Sequence, residues 1–454
     1  MWPGGVSMLL LQAATGSTNP SSSSKPRSST PPSSPSRQEH PVPHEPSPAV
    51  APTFHPRDRL QAEISRNRTI VHIAPHRPHR CAVSRVQVMA EKLRPHGWEF
   101  MSLDCGYSTK RRDDGGNLVV NTTRFPHGMA WLGEQLHNLG LKYGMYAGQG
   151  LSQCCSKIDP HATDGSAGWY EKDAKLFASW KIDYLKFDGC AGPKSSIAAM
   201  KKALNATGRP VVYSINNGVQ ANNSEETNLW RTTPDTSNTF PSMIWTAMVN
   251  NNATQIVAGK PGAFLDADML EVGNFFSELA DAEGRTNFAL WCLMKAPLLL
   301  GTDMTNMTDA TLKTITSPGA ISVSKDALGE QGLLRESPCY NPAGPNFGPD
   351  GHTLLDQWDD GYTAPVYGNP CGHQVWSGAL SNGGAAAVLA NLDDNAAATI
   401  DLSAKLLPTS QAATPRWDIN NAYSGKTVCR GCKLPQSAKV APHDVAFWVL
   451  TPAE

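Results

Sequence analysis

The chain has 454 residues, which is long enough for more than one domain. Its 39 lysines and arginines nearly balance 40 aspartates and glutamates, so the formal net charge is only −1. It carries no basic patch or arm, which argues against a nucleic-acid or anionic-membrane partner. No uninterrupted apolar run is long enough to span a bilayer. We therefore expect a soluble chain that binds neither nucleic acid nor membrane.

The first 60 residues differ in composition from the rest. Serine and proline dominate residues 17–52, with almost no large apolar side chains. Such a segment buries too little surface to offset its ordering entropy, so we predict that residues 1–60 are disordered. The apolar residues 8–11 are too short for the hydrophobic region of a signal peptide, and no basic segment precedes them.

Cysteines and glycosylation sequons nevertheless favour the secretory pathway. The chain has ten cysteines, several in loop-like contexts, as is typical of secreted proteins with disulfides. Asparagines followed by a residue other than proline and then by serine or threonine occur six times, a further sign of an extracellular glycoprotein. They are Asn67, Asn121, Asn205, Asn222, Asn252 and Asn306.

Two clusters of possible metal ligands have simpler interpretations. Residues 76–81 are rich in histidine and lie near His72, but prolines interrupt any regular ligand spacing and no second Cys/His group follows. Cys429 and Cys432 form a lone pair, for which a local disulfide in a surface loop is the better interpretation. The sequence therefore predicts no metal site.

Strand-like and helical segments alternate through roughly 230 residues, which predicts parallel βαβ units of the length of a (β/α)8 barrel. A doubly wound sheet has the same periodicity and competes with the barrel. Helices are predicted at residues 86–93, 129–139, 171–180 and 197–204 and around Trp291. Strands are predicted at residues 69–73, 100–103, 141–147, 184–188, 210–214, 228–231, 263–266 and 297–300.

The segment 183–190 ends a predicted buried strand in charged residues. Alternation places Tyr184, Lys186 and Asp188 on one face of this strand. A lysine and an aspartate at the end of a buried strand cost desolvation, which structure alone rarely requires. The lysine would keep Asp188 ionised, as a nucleophile or base needs. A purely structural ion pair is the alternative, and this segment alone leaves both open.

Polar residues at or just after the predicted strand ends favour the barrel, because barrel strand ends converge on one rim. Singly, each would more often be a helix cap or turn residue. Together they suggest glycoside hydrolysis, in which one carboxylate attacks and a protonated one donates to the leaving oxygen. We predict Asp188 as the first and Asp235 as the second. The polar residues at or just after the strand ends are Asp104, Asp188, Arg231, Asp235, Asp268 and Asp303.

Residues 184–190, Tyr-Leu-Lys-Phe-Asp-Gly-Cys, resemble the signature of glycoside hydrolase family 27, which contains α-galactosidases and α-N-acetylgalactosaminidases. Segments 124–129, 140–147, 258–262, 268–274 and 326–332 resemble further motifs in the family's order. The likeness covers roughly residues 81–454 and is to secreted enzymes of the fungal type. It implies a (β/α)8 barrel over residues 61–330, followed by a C-terminal antiparallel β-sandwich over residues 331–454. Short alternating segments at 384–392 and 440–450 independently predict the antiparallel domain.

The resemblance also implies an activity and roles for individual residues. Asp188 would be the nucleophile and Asp235 the acid/base of a retaining exo-α-galactosidase that acts on oligosaccharide or polysaccharide galactosides without a cofactor. Cys154 and Cys190 would form a disulfide beside the nucleophile. The substrate-binding residues would be Asp104, Tyr146, Lys186, Arg231 and Asp268.

The chain departs from the family pattern in three places. The usual first strand, Pro-Pro-Met-Gly-Trp, is absent, so residues 69–75 either replace it or the strand is missing from the sequence. The usual Asp-Asp-Cys is Leu103-Asp104-Cys105, and Ser214 to Gly218 stand where galactosidases carry a Cys-Glu-Trp that reads the C2 substituent. Four alternatives therefore stay open: a β-L-arabinopyranosidase, an α-N-acetylgalactosaminidase, a transglycosylase and a non-catalytic sugar-binding relic.

Overall fold

A computed structural model describes residues 86–154, 165–189, 192–216, 218–338 and 372–453, together with the backbone of residues 69–73. The predicted disorder of residues 1–60, the histidine-rich segment 76–81 and Cys190 all fall outside these ranges. The N-terminal half alternates strands with helices, as predicted. Its elements are β1 (Thr69–Ile73), β2 (Phe100–Leu103), β3 (Ser108–Arg112), β4 (Leu118–Val120), α1 (Gly128–Asn138), β5 (Lys142–Gly148), α2 (Tyr170–Ser179), β6 (Tyr184–Asp188), α3 (Ser195–Ala206), β7 (Val212–Asn216), α4 (Asn223–Glu226), β8 (Leu229–Arg231), α5 (Phe240–Ala253), β9 (Phe264–Asp266), α6 (Ala280–Met294), β10 (Leu298–Leu300), α7 (Asp309–Ile315) and α8 (Pro318–Ser324).

Eight parallel strands form a barrel in the order β10-β1-β2-β5-β6-β7-β8-β9. The circle is completed just beyond β9, where Leu270 forms a parallel bridge with Leu300. The predicted strand at residues 69–73 pairs in parallel with both β10 and β2, with Ile70 opposite Leu299 and Phe100. This segment is therefore the first strand of the barrel, and the barrel is confirmed over the doubly wound sheet.

The barrel interior is layered, because every second residue of a strand points inward. An apolar layer fills the lower barrel and consists of Phe100, Tyr184, Val212, Leu229, Phe264 and Leu299. The next inward position along five of these strands is polar, at Ser102, Lys186, Ser214, Arg231 and Asp266. The apolar layer supports this polar layer from below, and the strand ends follow directly above it.

One helical prediction needs correction, and one long helix was missed. Residues 86–93 do not form one regular helix, since Met89–Leu93 is a π-helical turn and Arg94–His96 a 3-10 turn, with Pro95 in the latter. Helix α5 was not predicted at all. Most of its side chains are buried around the helix, so its sequence lacks the one-sided apolar stripe from which helices are recognised.

The C-terminal domain is antiparallel, as predicted. Its main sheet has the order β11-β12-β13-β18-β15-β16, and β14 pairs with β17 in a second, two-stranded sheet. The predicted strand at 440–450 is in fact two strands, because the chain turns between Ala441 and Asp444. The elements are β11 (Leu333–Glu336), β12 (His373–Ala379), β13 (Ala385–Asn391), β14 (Ala398–Leu402), α9 (Thr409–Ala412), β15 (Trp417–Asn421), β16 (Thr427–Cys432), β17 (Gln436–Val440) and β18 (Val445–Pro452).

Strand β13 contributes to two cores at once. Ala386, Val388 and Ala390 belong to the large core that also contains Leu293 of α6. The alternate residues, including Ala387 and Leu389, belong to the core of the sandwich itself. One face of the main sheet therefore packs against the barrel and the other is covered by β14 and β17.

The predicted local disulfide between Cys429 and Cys432 is confirmed, although both cysteines lie on β16 and not in a loop. Among the sequons, Asn205, Asn222 and Asn306 are exposed, whereas Asn252 on α5 is only 6% exposed and is inaccessible in the folded chain. In the described ranges, no helix has the length and apolar character needed to cross a membrane.

Candidate functional site

Asp188 ends strand β6 and is only 7% exposed. Its Oδ1 accepts hydrogen bonds from the backbone N–H of Gly189 and from Nδ2 of Asn216, both at 2.9 Å. Its Oδ2 lies 4.0 Å from Nζ of Lys186. The carboxylate is therefore anchored through one oxygen, while the other faces a cation at the mouth of the barrel.

Lys186 connects the predicted residues on this side of the site. Its Nζ donates to Oδ2 of Asp104 at 2.9 Å and lies 5.5 Å from the centre of the Tyr146 ring. Burial alone would lower the pKa of Lys186, but the charges of Asp104 and Asp188 outweigh it and raise the pKa. The lysine therefore stays a cation. The structure brings Asp104, Tyr146, Lys186 and Asp188 together, as predicted.

Tyr146 closes the side of the site formed by β5. It is 1% exposed, its hydroxyl oxygen accepts from the backbone N–H of Cys154 at 3.1 Å, and the Asp188 carboxylate lies near its phenol. Burial, together with the charges of Asp188 and Asp104, raises the pKa of Tyr146 well above its usual value, so the phenol stays neutral. Cys154 is disulfide-bonded, while Cys190, its predicted partner, lies outside the described ranges.

Arg231, at the end of β8, organises the opposite side. Its Nη2 lies 2.6 Å from Oδ2 of Asp268 and donates to Oδ1 of Asp235 at 3.1 Å. The Asp235 side chain is 77% exposed, so it faces the open mouth of the barrel. The Arg231 guanidinium, and after it the more distant Lys186, lowers the pKa of Asp235. A second cluster therefore combines one buried and one exposed carboxylate around a single arginine.

The backbone of Asp268 adopts the left-handed conformation, with φ +71°. This conformation is costly for a residue other than glycine and persists only when its surroundings enforce it. Here the backbone N–H of Thr236 donates to Oδ2 at 2.7 Å and that of Met269 donates to Oδ1 at 2.8 Å. The Trp291 indole donates to the Asp268 carbonyl at 2.8 Å. Burial raises the pKa of Asp268 despite the nearby guanidinium of Arg231.

Two further residues of the site were not predicted as site residues, Asp266 and Asn216. Asp266 is 1% exposed, accepts from the backbone N–H of Asp268 at 2.8 Å, and lines the same cavity as Lys186 and Arg231. Burial raises the pKa of Asp266 to about 7. Period-two alternation from Phe264 could have placed Asp266 inside the barrel, whereas the contact of Asn216 depends on strand register.

Asp303, also predicted on the rim, has a structural role. Its side chain accepts from the backbone N–H of Thr305 and caps the short 3-10 helix Met304–Asn306. This is the cap role that the sequence offered as the alternative for each rim aspartate. Within the part of the chain that the structure describes, no group of three or more His, Cys, Asp or Glu side chains could hold a metal ion.

The two clusters face one cavity. The charge of Lys186 acts on Asp104 and Asp188, and also on Asp235, which places the lysine within reach of both sides. A buried, anchored carboxylate opposite an exposed one supplies the two groups needed for nucleophilic attack and proton transfer. The surrounding donors and acceptors suit a ligand that carries many hydroxyl groups.

The chain matches the protein family described as "Alpha galactosidase A" over residues 80–326 and the "Alpha galactosidase C-terminal beta sandwich domain" over residues 371–450. The alpha-galactosidase of Oryza sativa subsp. japonica is 33% identical over 367 residues, which cover 78% of this chain and 76% of that protein. The alpha-N-acetylgalactosaminidase of Mus musculus is 35% identical over 280 residues, covering 56% and 65%, respectively.

Among solved structures, alpha-galactosidase I from Mortierella vinacea superimposes with a TM-score of 0.68 at 22% identity, covering 85% of this chain and 97% of that one. At this identity the likeness bears on the fold alone, and it agrees with the barrel and sandwich described above. The family match covers more than half of the chain and includes both clusters of the site. The chain therefore belongs to glycoside hydrolase family 27, the alpha-galactosidase family, and is a glycoside hydrolase.

Proposed function

We propose that the chain is a retaining exo-α-galactosidase that releases terminal α-D-galactosyl residues by double displacement. The observation that carries this proposal is the contrast between the two carboxylates. Asp188 is buried and anchored, with Oδ2 turned toward Lys186, whereas Asp235 is 77% exposed beside Arg231. A nucleophile needs a fixed position, and an acid/base needs access to the leaving group and to water.

In the first step, Asp188 attacks the anomeric carbon while the bond to the leaving oxygen breaks and Asp235 donates a proton to that oxygen. In the second step, Asp235 takes a proton from water, which attacks the same carbon and releases Asp188. The two displacements restore the starting anomeric configuration. The two carboxyl groups of such an enzyme should lie about 5–5.5 Å apart, which stays a prediction for this pair.

The lowered pKa of Asp235 favours the second step over the first. The Arg231 guanidinium stabilises the carboxylate form, which is the form that acts as a base toward water. Donation to the leaving oxygen requires the protonated form, which becomes more populated as the pH falls toward the pKa. We therefore expect the rate of the first step, measured as kcat/KM, to rise as the pH falls toward the pKa of Asp235, which lies below the usual value for an aspartate.

Galactose is the proposed sugar because the rice relative that matches most of this chain is an alpha-galactosidase. Asp104, Lys186, Arg231 and Asp268 would bind its hydroxyls. An N-acetylgalactosaminide is the second candidate, since the mouse relative is an alpha-N-acetylgalactosaminidase. The position at which the family usually has glutamate is Asn216 here, which leaves the preference at C2 open to test. A β-L-arabinopyranoside is a third candidate substrate, for the same reason.

We further propose that the enzyme is secreted and glycosylated. The sequons at Asn205, Asn222 and Asn306 are exposed and could accept glycans, whereas Asn252 could not. A shift in mass after endoglycosidase treatment of the protein purified from its natural source would support this. An unmodified mass would contradict it.

The test is nitrophenol release from aryl α-D-galactopyranoside, α-N-acetylgalactosaminide and β-L-arabinopyranoside by the purified full chain. The expected result is fastest turnover of the galactoside, with α-galactose as the first product observed by proton NMR. Initial release of β-galactose would contradict the retaining mechanism. Preference for either of the other two glycosides would move the specificity, and inactivity toward all three would support the sugar-binding relic.

A further inference from the structure

Asn216 stands directly beside the proposed nucleophile. It ends strand β7, and the strand register pairs it with Asp188 at the end of β6. Inward-facing residues that are paired across parallel strands lie side by side, so the two side chains meet at the carboxyl ends of β6 and β7. Asn216 is only 7% exposed and lines the cavity that contains Lys186 and Arg231.

The direction of this contact is fixed by chemistry. An ionised carboxylate can only accept hydrogen bonds, so the Asn216 amide must turn Nδ2 toward Asp188. Nδ2 lies 2.9 Å from Oδ1 of Asp188, and the Gly189 N–H lies at the same distance from the same oxygen. Oδ1 therefore holds two donors. Oδ2 is 4.0 Å from Nζ of Lys186, beyond ordinary hydrogen-bond distance.

We infer that Asn216 is a positioning residue that, with the Gly189 N–H, anchors Oδ1 of Asp188 and leaves Oδ2 as the atom that attacks the anomeric carbon. This inference rests on the proposed retaining mechanism and adds an atomic assignment to it. Glutamate, which galactosidases usually carry at this position, would place a second carboxylate beside the nucleophile when ionised. The asparagine of this chain supplies a neutral donor instead.

The anchor changes strength during the reaction. In the first step, the Oδ2–C1 bond forms, the bond from C1 to the leaving oxygen breaks, and Asp235 protonates that oxygen. Oδ1 of Asp188 then becomes the carbonyl oxygen of an ester, a weaker acceptor than a carboxylate. In the second step, the Oδ2–C1 bond breaks and its electrons return to Asp188, so the hydrogen bond from Asn216 strengthens in that transition state.

A hydrogen bond that strengthens from ester to carboxylate accelerates hydrolysis of the intermediate more than its formation. Loss of the Asn216 amide should therefore slow the second step selectively. With an aryl glycoside that has a good leaving group, this slows kcat while kcat/KM, which reports the first step, changes little. KM then falls together with kcat, and the glycosyl-enzyme accumulates.

The test compares Asn216→Ala and the isosteric Asn216→Asp with wild type on the dinitrophenyl glycoside of the sugar that wild type prefers. We expect kcat to fall roughly tenfold or more in both variants. For Asn216→Ala, kcat/KM should stay within about threefold, and a burst of dinitrophenol close to one equivalent per enzyme should precede steady turnover. For Asn216→Asp, repulsion between the new carboxylate and Asp188 should lower kcat/KM as well.

Asn228→Ala is the matched control. Asn228, just before β8, also uses its amide to join strands, accepting from the backbone N–H of Tyr213 and donating to the carbonyl of Gly262, both at 2.9 Å. Its loss should lower the melting temperature without changing the ratio of kcat to kcat/KM. If Asn216→Ala lowers kcat and kcat/KM in proportion, without a burst, or leaves kcat unchanged, the inference fails while the proposed function stands. A wild-type chain inert on all three glycosides overturns both.

Discussion

Charged residues meet in two regions of this molecule, the contact between barrel and sandwich and the rim of the barrel. The two regions differ in how fully their polar atoms are hydrogen-bonded. At the contact between barrel and sandwich, His443 binds Glu283 of α6 through Nδ1 at 2.9 Å and Asp394 through Nε2 at 2.8 Å. Arg285 donates two hydrogen bonds to Asp444, at 2.9 and 2.8 Å. At this contact, the charged side chains are therefore paired with one another.

At the rim of the barrel, polar atoms remain unused. Nε of Arg231 and Oδ1 of Asn216 are buried without a hydrogen-bond partner, and Asp235 is 77% exposed. Buried polar groups are normally paired, so such exceptions need an explanation. A ligand that completes them provides one. The comparison indicates that rim substitutions should change activity more than stability, and that substitutions at the contact should do the reverse.

The largest effect is expected for Asp188→Asn. The amide keeps the size of the side chain but cannot form the glycosyl ester, so kcat should fall by roughly 10⁴-fold or more. The melting temperature should change little, because the side chain retains its neighbours. Steady-state turnover and differential scanning calorimetry measure the two quantities. Turnover near the wild-type rate would remove Asp188 from the mechanism.

Asp235→Asn should have a smaller effect that depends on the leaving group. Without the acid/base, hydrolysis of a substrate with a sugar leaving group should slow by roughly 10²- to 10⁴-fold. A dinitrophenyl leaving group needs no proton, so the first step on that substrate should survive, and added azide should restore turnover as a galactosyl azide. Equal losses on both substrates, without azide rescue, would argue that Asp235 is not the acid/base.

Arg285→Ala should act on stability alone. It removes the two-bond contact with Asp444 between α6 and the turn before β18, which we expect to lower the free energy of unfolding by about 1–2 kcal/mol. A double-mutant cycle with Asp444→Asn isolates this pair from the effect of truncation. An unchanged denaturation midpoint, or a large loss of kcat, would contradict the contrast between the two regions.

The smallest effect, and the most dependent on pH, is expected for His443→Gln. Burial alone would lower the pKa of His443, but its bonds to Glu283 and Asp394 outweigh burial and raise the pKa. The stabilisation by His443 is therefore fully present below the unfolded pKa of about 6.5 and is lost as the pH rises through the higher folded pKa. The substitution should lower the free energy of unfolding by about 1 kcal/mol at pH 5 and by less at pH 9. Denaturant unfolding at both values tests this, and equal losses would contradict it.

Alternation of strands and helices predicted parallel βαβ units, since each strand is a short apolar run between turn residues, and the polar residues at the strand ends favoured the barrel over a doubly wound sheet. Alternation was not enough for α5, whose burial on most sides hides the helical period. The turn at His443 was missed because a histidine adopts the left-handed conformation there, at φ +55°, where glycine would have been the recognisable signal.

The site was predicted unevenly for a related reason. Asp188 and Lys186 share one strand, so period-two alternation alone places them together. Asn216 meets Asp188 only through the register between β6 and β7, which no local pattern encodes. Asp266 stands two residues before Asp268 in the sequence, so its position was accessible to prediction. Its burial, which raises its pKa to about 7, depends on the whole barrel around it and was not.

The double burial of β13 bears on how the chain folds during synthesis. Because this strand and β18 follow the barrel in sequence, the ribosome releases a barrel whose α6 surface still lacks the side chains of Ala386, Val388 and Phe447. Domains generally fold as they emerge, N-terminal first, and exposed apolar surface invites aggregation in the interval. We therefore expect expression of the barrel without residues 331–454 to yield insoluble protein.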